Sequence, residues 1–397
     1  MQRIPHLIKV SGSDGPGITA TIMRCLDNHE ARILDIEQAV THELLSLLIL
    51  IELDDSRLAD LKSKLTESLK KYHLDLSITP MDKDYELADP EYRFVTTIIA
   101  QEIPTKFLAE ITEALANSAV NIDALRKLSS GGLSTIEITA SSSERINLPT
   151  MKERLLGIAA NYPSADLAVQ KENLYRRSKR LVVFDMDSTL IEGEIIDELA
   201  DVVGKKSEVS ALTKRAMEGE MDFQESLLRR VSLLKGLTRS DLNKVYSQIK
   251  LTPGAESLIK VLKRLGYKIA IISGGFTYFV DRLKQDLGVH YGYANVLDFD
   301  GDELNGRLQG LIVDGRRKAD LLDLLAQQEG VTLDQVIAIG DGANDLQMLK
   351  KAGLGIAFNA KPLTKAMVGT SINQKRMDSI LYLLGITDRD ITEMGIR

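Results

Sequence analysis

The sequence predicts an α/β protein in which two small ferredoxin-like domains precede a larger domain with a mostly parallel sheet. In the first half of the chain, strand and helix patterns recur in the order βαββαβ, and this order repeats after roughly 88 residues. From Arg180 onwards, short apolar strands alternate with helices, which is typical of a parallel sheet. We therefore expect domains at residues 1–84, 85–172 and 173–397, with the polar, acidic stretch 82–91 as the first linker.

Apolar residues at helical or strand spacing define the elements of the two small domains. The first domain's predicted elements are a strand at Leu7–Val10, a helix at Ile18–Asn28, strands at Ala31–Val40 and Leu44–Leu53, a helix at Ser56–Tyr72 and a strand at Leu74–Ile78. Those of the second are a strand at Arg93–Ala100, a helix at Lys106–Ser118, strands at Val120–Leu128 and Leu133–Ala140, a helix at Leu148–Tyr162 and a strand at Ala165–Val169. Because Ile33–Ile36 matches Val120–Ala124, we interpret the two domains as an internal repeat.

A turn rich in glycine, Asp14-Gly15-Pro16-Gly17, separates the first strand from the first helix. Glycines let the backbone bend tightly there and leave N–H groups at the start of the helix free to meet a carboxylate. With this turn, the two domains resemble ACT domains, the small regulatory modules of amino-acid metabolism. The resemblance implies an amino-acid ligand at Asp14, Gly15 and Gly17. The second copy has Glu102-Ile103-Pro104-Thr105 instead, so the first copy is the better candidate, and a role of both copies in pairing sheets or joining subunits stays equally open.

The third domain begins with the apolar run Leu181–Phe184, which is typical of a short strand buried on both faces. The elements predicted after it are a helix at Glu194–Val203, helices within Ser207–Leu234 and at Arg239–Ile249, a helix at Glu256–Leu265, a strand at Tyr267–Ile272, a helix at Tyr278–Leu287, a hairpin of Ala294–Phe299 and Leu304–Leu308, a helix at Lys318–Gln328, and strands at Gln335–Ile339 and Gly355–Ala357. A helix-rich insertion at about residues 197–252 separates the first strand from the next one. The tail beyond about Asp388 is polar and carries no structural signal.

Polar side chains stand where several of these elements begin or end, and their types suit phosphoryl transfer. They are Asp185 and Asp187, Ser273, Lys318, and Asp341 with Asp345. One carboxylate can attack phosphorus while a second carboxyl group donates and accepts the proton. Mg²⁺ takes oxygen ligands such as Asp185 and Asp341, and a lysine with a hydroxyl can hold the remaining phosphoryl oxygens. An Asp-x-Asp turn by itself would also fit helix capping, but the whole set at the carboxyl edge of one sheet indicates catalysis.

These positions resemble the four motifs of the haloacid dehalogenase superfamily of phosphohydrolases. The matching residues are, in order, Asp185-Met186-Asp187-Ser188-Thr189, Ser273, Lys318 and Gly340-Asp341-Gly342-Ala343-Asn344-Asp345. The resemblance implies a Rossmann-like core with a small helical cap. It also implies that Asp185 is the nucleophile and Asp187 the general acid and base. Mg²⁺ would be held by Asp185, the main-chain carbonyl of Asp187 and Asp341, with Asp345 as a supporting carboxylate.

Within this superfamily, the stretches Asp185–Glu198 and Ser273–Phe276 resemble the phosphoserine phosphatase family. The resemblance implies that Phe223 closes over the substrate and that Arg230 binds its carboxylate, since a guanidinium group can hold a carboxylate by two parallel hydrogen bonds. Glu194 would pair with the ammonium group. The residues implied to contact phosphate or substrate are Ser273, Gly274, Lys318 and Asn344. By spacing alone, Arg230 would be an ordinary cap-helix residue and Glu194 a first-turn residue stabilised by the helix dipole.

Length and composition exclude several classes of protein. With 397 residues, 44% of them hydrophobic, the chain can bury sizeable cores, and its net charge of −7 gives no overall basic surface for nucleic acid. The single cysteine, Cys25, excludes internal disulfides and fits a reducing compartment. No apolar run reaches membrane-spanning length, so we expect a cytoplasmic protein. The basic cluster Arg176–Arg180 is interpreted as a solvated linker.

Together these features predict a Mg²⁺-dependent enzyme that hydrolyses O-phosphoserine through an aspartyl-phosphate intermediate, the last step of serine biosynthesis. We expect a homodimer or higher homo-oligomer whose ACT-like domains bind serine as an effector. Two alternatives stay open: an amino-acid-binding regulatory protein with a vestigial phosphatase domain, and a phosphatase or phosphotransferase for another small phosphomonoester. The intact Asp185, Lys318 and Asp341 argue against a vestigial domain.

Overall fold

The computed structural model describes residues 3–81, 90, 92–217 and 220–396. Contacts divide the chain into two units, Met1–Asp89 and Pro90–Arg397, so the second ACT-like domain belongs with the C-terminal domain. The linker predicted at residues 82–91 lies outside the described residues, apart from Pro90. Within the described ranges, no helix is both long enough and apolar enough to cross a membrane.

The first unit is an antiparallel sheet with two helices. Its elements are β1 (Arg3–Ser13), α1 (Ile18–Asn28), β2 (Arg32–Thr41), β3 (Leu44–Asp54), α2 (Leu58–Leu69) and β4 (Asp75–Pro80), and the strand order is β2-β3-β1-β4. Helix α1 buries Ile18, Ile22 and Leu26, which are spaced four residues apart, in one apolar core with residues of β1 and β3. The predicted βαββαβ order is therefore confirmed for this unit.

The second ACT-like domain repeats the same topology with different side chains. Its elements are β5 (Tyr92–Ala100), α3 (Thr105–Ala116), β6 (Asn121–Lys127), β7 (Ser134–Ser142), α4 (Leu148–Ala159) and β8 (Ala165–Lys171), in the strand order β6-β7-β5-β8. Phe107, Ile111 and Leu115 form the buried stripe of α3, and the Phe107 ring lies 4.5 Å from that of Tyr162. The two copies thus share a fold and have separate cores.

The C-terminal domain is built on a seven-stranded sheet with the order β12-β11-β10-β9-β13-β14-β15. Its elements are β9 (Leu181–Phe184), α5 (Ile195–Val202), α6 (Lys206–Met217), α7 (Phe223–Ser232), α8 (Arg239–Gln248), α9 (Ala255–Arg264), β10 (Lys268–Phe276), α10 (Thr277–Leu287), β11 (Tyr291–Asp300), β12 (Glu303–Gln309), α11 (Gly315–Gln328), β13 (Val336–Gly340), α12 (Leu346–Lys351), β14 (Leu354–Phe358), α13 (Pro362–Val368), β15 (Ser371–Ile372) and α14 (Asp388–Glu393). Strand β9 is fully buried and pairs in parallel with β10 and β13, so the carboxyl ends of these central strands meet at one edge.

The cap consists of helices α5 to α8, inserted between β9 and the rest of the sheet. The sequence predicts helices within Ser207–Leu234 without separate bounds, and the structure has two there: α6 ends at Met217 and α7 starts at Phe223. Asp222 caps α7 by accepting hydrogen bonds from the backbone N–H groups of Gln224 (2.9 Å) and Glu225 (3.4 Å). This cap places Phe223 at the first position of α7.

The interpretation of the basic cluster Arg176–Arg180 as a solvated linker is wrong for Arg176 and Lys179, while Arg177 and Arg180 are exposed. Arg176 is only 2% exposed and forms ion pairs with Glu137 of β7 and with Glu172, the latter at 3.0 Å. The Lys179 ammonium group is also buried and donates to the carbonyl of Asp334. These residues are charged yet buried because each has a partner of opposite charge or an acceptor, which periodicity in the sequence does not reveal.

The C-terminal tail is also more ordered than its polarity predicts. Asp388, at the start of α14, is buried and accepts hydrogen bonds from the backbone N–H of Ser130 (2.7 Å) and the hydroxyl of Tyr382 (2.8 Å). Asp166 of β8 similarly accepts from the backbone N–H of Asn373 at 2.8 Å. The second ACT-like domain and the C-terminal domain are therefore joined by buried polar contacts.

Candidate active site

Two neighbouring strands bring acidic residues to the carboxyl edge of the sheet. Asp185 directly follows β9, and its backbone N–H donates to the carbonyl of Ile339 on β13 at 2.9 Å. Asp341 directly follows β13. Because β9 and β13 run side by side, the first and fourth predicted motifs, which follow these strands, lie next to each other.

Lys318 is completely buried between two carboxylates. Its Nζ lies 2.8 Å from Asp185 Oδ1 and 2.7 Å from Asp345 Oδ1, and its exposed fraction is 0%. The sequence places Lys318 at the start of a helix, whereas α11 begins three residues earlier, at Gly315 after the capping residue Asp314. Burial alone would lower the pKa of Lys318, but Asp185 and Asp345 outweigh burial and hold the pKa above its usual value. Lys318 is thus a fixed positive charge beside Asp185.

Asp345 is equally buried and has two partners. One of its oxygens accepts from Lys318, and the other accepts from the backbone N–H of Gly342 at 2.9 Å. Gly340 leaves room for this side chain, since a β-carbon at Gly340 would lie 2.6 Å from the Asp345 carboxyl carbon. Asp345 therefore orients Lys318, as a supporting carboxylate would.

Asp185, Asp341 and Asp345 form a cluster suited to a hard divalent cation. One carboxylate oxygen from each residue lies within 4.8 Å of the others, and all three side chains are buried. Burial, with added repulsion from Asp345 and then Glu194, raises the pKa of Asp341 to about 6. Burial and Asp345 also raise the pKa of Asp185, against the opposing effect of Lys318. Crowded carboxylate oxygens of this kind are the donors that Mg²⁺ and similar ions prefer, and a divalent cation would relieve their repulsion.

Asp187 has a different environment from Asp185, although only one residue separates them. Its carboxylate accepts from the backbone N–H of Ile195 at 3.0 Å and lies 3.5 Å from the Ser273 hydroxyl. Burial, followed by repulsion from Glu194, raises the pKa of Asp187 to about 8. Asp187 can therefore hold a proton at neutral pH, as a general acid must.

Ser273, Gly274 and Gly275 bulge from β10 towards Asp187. The parallel pairing of β10 with β11 shifts between Ile272 and Phe276. The Ser273 hydroxyl accepts from the backbone N–H of Gly275 at 2.8 Å. A β-carbon at Gly275 would lie 2.7 Å from Asp187 Oδ2, so only glycine fits at this close approach.

The cap and the segment leading into it contribute further lining residues, here called the cap wall. Arg230 of α7 is 8% exposed, and its guanidinium group donates to the Thr213 hydroxyl at 3.3 Å and to the Ser226 carbonyl at 3.4 Å. Glu194, at the start of α5, accepts from the Ser188 hydroxyl at 3.1 Å, and burial raises its pKa. The Phe223 ring lies near Gly274, 3.4 Å from where a β-carbon would stand.

A single cavity of about 580 Å³ joins these groups. The predicted residues among its lining are Asp185, Asp187, Glu194, Phe223, Arg230, Gly274, Asp341 and Asn344. Ser273, Lys318 and Asp345 lie in contact with lining residues, beneath the surface of the cavity. The structure thus brings together the site residues predicted in the C-terminal domain, and their individual roles stay predictions.

Some residues of the site have no sequence signal. Lys361 lines the cavity from the position before α13, a helix that the sequence analysis does not predict. Thr213 lines it from α6. A threonine within a run of helix or strand residues looks like any other, so only the fold identifies these contacts.

The residues predicted for a regulatory ligand lie in the first unit. Asp14, Gly15 and Gly17 form the turn between β1 and α1, where Gly17 has a φ of 92°. No side chain caps the start of α1 in this unit, so N–H groups there are open to a ligand carboxylate. Ligand binding at this turn stays a prediction.

Comparisons with known proteins agree with this architecture. A family model described as haloacid dehalogenase-like hydrolase matches residues 179–353, and an ACT domain model matches residues 5–79. A phosphoserine phosphatase of Streptomyces coelicolor is 40% identical over 97% of this chain and 93% of its own length. One of Mycobacterium tuberculosis is 36% identical over 98% of this chain and 95% of its own. A solved HAD family hydrolase from Salmonella enterica has a TM-score of 0.65 at 29% identity, covering 73% of this chain and 98% of its own. The predicted fold class is confirmed.

Proposed function

This chain belongs to the phosphoserine phosphatase family of the haloacid dehalogenase-like hydrolases, and from that premise we propose that it hydrolyses O-phosphoserine to serine and phosphate. The reaction would proceed through an aspartyl phosphate on Asp185, with Mg²⁺ as cofactor. One observation carries the proposal: a single cavity is lined by Asp185, Asp187, Arg230 and Glu194, and buried Lys318 contacts Asp185 beneath it. A phosphate ester that also bears a carboxylate and an ammonium group has a matching partner for each charge.

In the first step, a carboxylate oxygen of Asp185 attacks phosphorus and the bond between phosphorus and the serine oxygen breaks. Asp187 gives its proton to the departing serine oxygen, which its pKa of about 8 allows at neutral pH. Lys318, held 2.8 Å from Asp185, stabilises the negative charge on the phosphoryl oxygens. Serine then leaves, and Asp185 carries the phosphoryl group.

In the second step, Asp187 acts as a base. It takes a proton from a water molecule whose oxygen attacks phosphorus, and the bond between phosphorus and the Asp185 oxygen breaks. Phosphate leaves, Asp185 is again a carboxylate, and Asp187 again holds a proton. Each of the two carboxylates accepts from a backbone N–H, but Asp185 also contacts the Lys318 ammonium group, which supports its different role.

The metal would be held by Asp185, Asp341 and the main-chain carbonyl of Asp187, with Asp345 supporting the site. Mg²⁺ would neutralise part of the negative charge that gathers when a phosphate ester approaches these carboxylates. The raised pKa values of Asp185 and Asp341 support this need for a cation. Asp345, already paired with Lys318, would act by keeping that lysine and the ligand oxygens in place.

The cap would select the substrate. Arg230 would exchange its long hydrogen bonds to Thr213 and Ser226 for two bonds to the substrate carboxylate. Glu194 would accept from the substrate ammonium group, and Phe223 would cover the bound serine. Ser273, Gly274 and Asn344 would contact the phosphoryl group or the substrate backbone.

We place the enzyme at the last step of serine biosynthesis, in the cytoplasm, where a chain with the single cysteine Cys25 would stay reduced. Serine would bind the first unit at Asp14, Gly15 and Gly17 as an effector. Strand β2 is an exposed edge strand, which supports assembly into a homodimer or higher homo-oligomer through this unit. No nucleic acid or membrane partner is proposed.

Phosphate release from a panel of esters tests the activity. The panel contains O-phosphoserine, O-phosphothreonine, O-phosphoethanolamine, glycerol phosphate and p-nitrophenyl phosphate, each with Mg²⁺ and with a chelator. We expect a preference for O-phosphoserine, dependence on the metal, and a loss of at least about 10⁴-fold in Asp185→Asn. Activity spread evenly over esters without an amino-acid backbone would contradict the substrate. No activity on any ester would instead favour the regulatory protein with a vestigial phosphatase domain.

A further inference from the structure

The carboxamide of Asn295 connects two loops of the site without lining the cavity. Asn295 lies on β11 and is 1% exposed. Its Nδ2 donates to the carbonyls of Gly274 (2.8 Å) and Gly275 (3.2 Å), and its Oδ1 accepts from the backbone N–H of Val313 (2.8 Å). The first two partners belong to the bulge after Ile272, and the third precedes the helix that carries Lys318.

The hydrogen bonds from Asn295 satisfy backbone carbonyls that have no partner in the regular pairing of β10 with β11. In the parallel pairing of β10 with β11, Ile272 is opposite Tyr293 and Phe276 is opposite Asn295, so β10 contains two more residues than β11 over this interval. The backbone groups of the bulge therefore lose their regular ladder partners. Buried carbonyls need a donor, and Asn295 Nδ2 donates to two of them.

The direction of these carbonyls fixes the direction of the neighbouring N–H groups. In a planar trans peptide the C=O and N–H groups point opposite ways. With the Gly274 carbonyl turned to Asn295, the N–H of Gly275 points away from Asn295 and donates to the Ser273 hydroxyl at 2.8 Å. Asn295 thus orients the bulge that holds the Ser273 hydroxyl 3.5 Å from Asp187.

The third bond ties this bulge to α11. Val313 precedes Asp314, which caps α11 by accepting from the backbone N–H of Arg317 at 2.8 Å, and Lys318 is the next residue of the helix. One side chain therefore contacts the loop next to Asp187 and the segment leading to Lys318. If the amide oxygen and nitrogen of Asn295 were exchanged, the oxygen, an acceptor, would face two carbonyl oxygens. The partners therefore determine the orientation of the amide.

We propose that Asn295 is a positioning residue for phosphoryl transfer, which sets the spacing between the Ser273–Gly275 bulge and the start of the helix that carries Lys318. This inference rests on the proposed function, because it concerns the same reaction. Asn295 acts through backbone groups and would not touch the substrate. Its loss should therefore slow the chemical step more than it weakens binding of O-phosphoserine to Arg230 and Glu194.

The test compares Asn295→Ala and Asn295→Ser with wild type, using both O-phosphoserine and p-nitrophenyl phosphate. We expect kcat to fall by about 100-fold for both esters in Asn295→Ala, since misplacement by about 1 Å has an effect of this size. KM for O-phosphoserine should change by less than about threefold. The serine hydroxyl can donate to one of the two carbonyls, so Asn295→Ser should recover part of kcat and serves as the second variant if the alanine protein does not fold.

Ser142→Ala is the matched control for a purely structural role. Ser142 is buried in the second ACT-like domain and joins two backbone groups, donating to the Ala119 carbonyl (3.0 Å) and accepting from the Glu144 N–H (3.1 Å). Its loss should lower the thermal midpoint and leave kcat within about twofold of wild type. An unchanged kcat in both Asn295 variants, or an equal fall in kcat in Ser142→Ala, would overturn the proposal. If wild type hydrolyses p-nitrophenyl phosphate but not O-phosphoserine, only the proposed substrate is contradicted. The Asn295 variants are then compared by their kcat for p-nitrophenyl phosphate.

Discussion

The base and the cap wall of the cavity are built in different ways. At the base, Lys318 has an exposed fraction of 0% and contacts two carboxylates at 2.7–2.8 Å. On the cap wall, Arg230 makes hydrogen bonds of 3.3 and 3.4 Å to a hydroxyl and a carbonyl. Short contacts between opposite charges fix a geometry before the substrate arrives, whereas long bonds to neutral acceptors are easily exchanged. This difference supports our proposal that the base performs the chemistry and the cap selects the substrate.

The largest expected effect is at the base and does not depend on the ester. Lys318→Met should lower kcat by about 10³-fold or more for O-phosphoserine and p-nitrophenyl phosphate alike, because the phosphoryl oxygens are common to both. Lys179→Met is the matched control, since Lys179 is also buried but lies before β9, at the end opposite Asp185. Steady-state kinetics with both esters measure the effect. A loss restricted to O-phosphoserine would mean that the base also selects, and the comparison would fail.

A smaller effect is expected from Asp187, which lines the same cavity. The pKa of Asp187 is 3.8 in the unfolded state and about 8 in the folded state. Below pH 3.8 the carboxyl group is protonated in both states, and between pH 3.8 and about 8 it is protonated only in the folded state. The folded state therefore loses stability relative to the unfolded state as pH rises through this window, by up to about 1.4 kcal/mol per unit. Urea unfolding with a chelator at pH 5 and pH 7.5 should show this decline in wild type, and a weaker one in Asp187→Asn. Parallel curves for the two proteins would contradict the raised pKa.

The smallest effect is expected outside both walls, at the turn of the first unit. Gly17 has a φ of 92°, so Gly17→Ala strains the turn by about 1 kcal/mol and should weaken serine binding measured by calorimetry. Gly132→Ala is the matched control, because Gly132 also has a positive φ, 77°, and lies in the second copy with open space around it. Equal serine binding by both variants and wild type would remove the turn from the proposed effector site. If wild type gives no binding heat with serine, serine is not the effector.

The sequence predicts the elements with local signals well. The bounds of α1, Ile18–Asn28, agree with the structure, because a glycine turn precedes it and apolar residues mark its face. Strand β9 and the four motifs around it are likewise predictable, since polar groups at strand ends stand out from apolar runs. The bounds of α6 and α7 within the helix-rich insertion could not be predicted, because a capping aspartate inside a helical pattern, Asp222, looks like any surface residue.

Contacts between distant segments could not be predicted. Arg176 belongs to a basic run, and its burial depends on Glu137, 39 residues away. Asp388 lies in a polar tail, and its partner Ser130 is 258 residues away. Asn295 has no distinguishing neighbours in the sequence, and its amide has two partners in the β10 bulge and a third at Val313. In each case the contact depends on tertiary packing, which the spacing of residues within one segment does not show.

The division of labour between the base and the cap is tested most directly by measuring kcat/KM for O-phosphoserine and O-phosphoethanolamine in wild type and Arg230→Ala. The two esters differ in the carboxylate that Arg230 would bind. We expect a loss of about 2–5 kcal/mol in transition-state stabilisation for O-phosphoserine and little loss for O-phosphoethanolamine. Arg229→Ala is the control, since Arg229 adjoins Arg230 but its side chain is 55% exposed and pairs with Glu225. Equal losses for the two esters in Arg230→Ala would contradict selection by the cap.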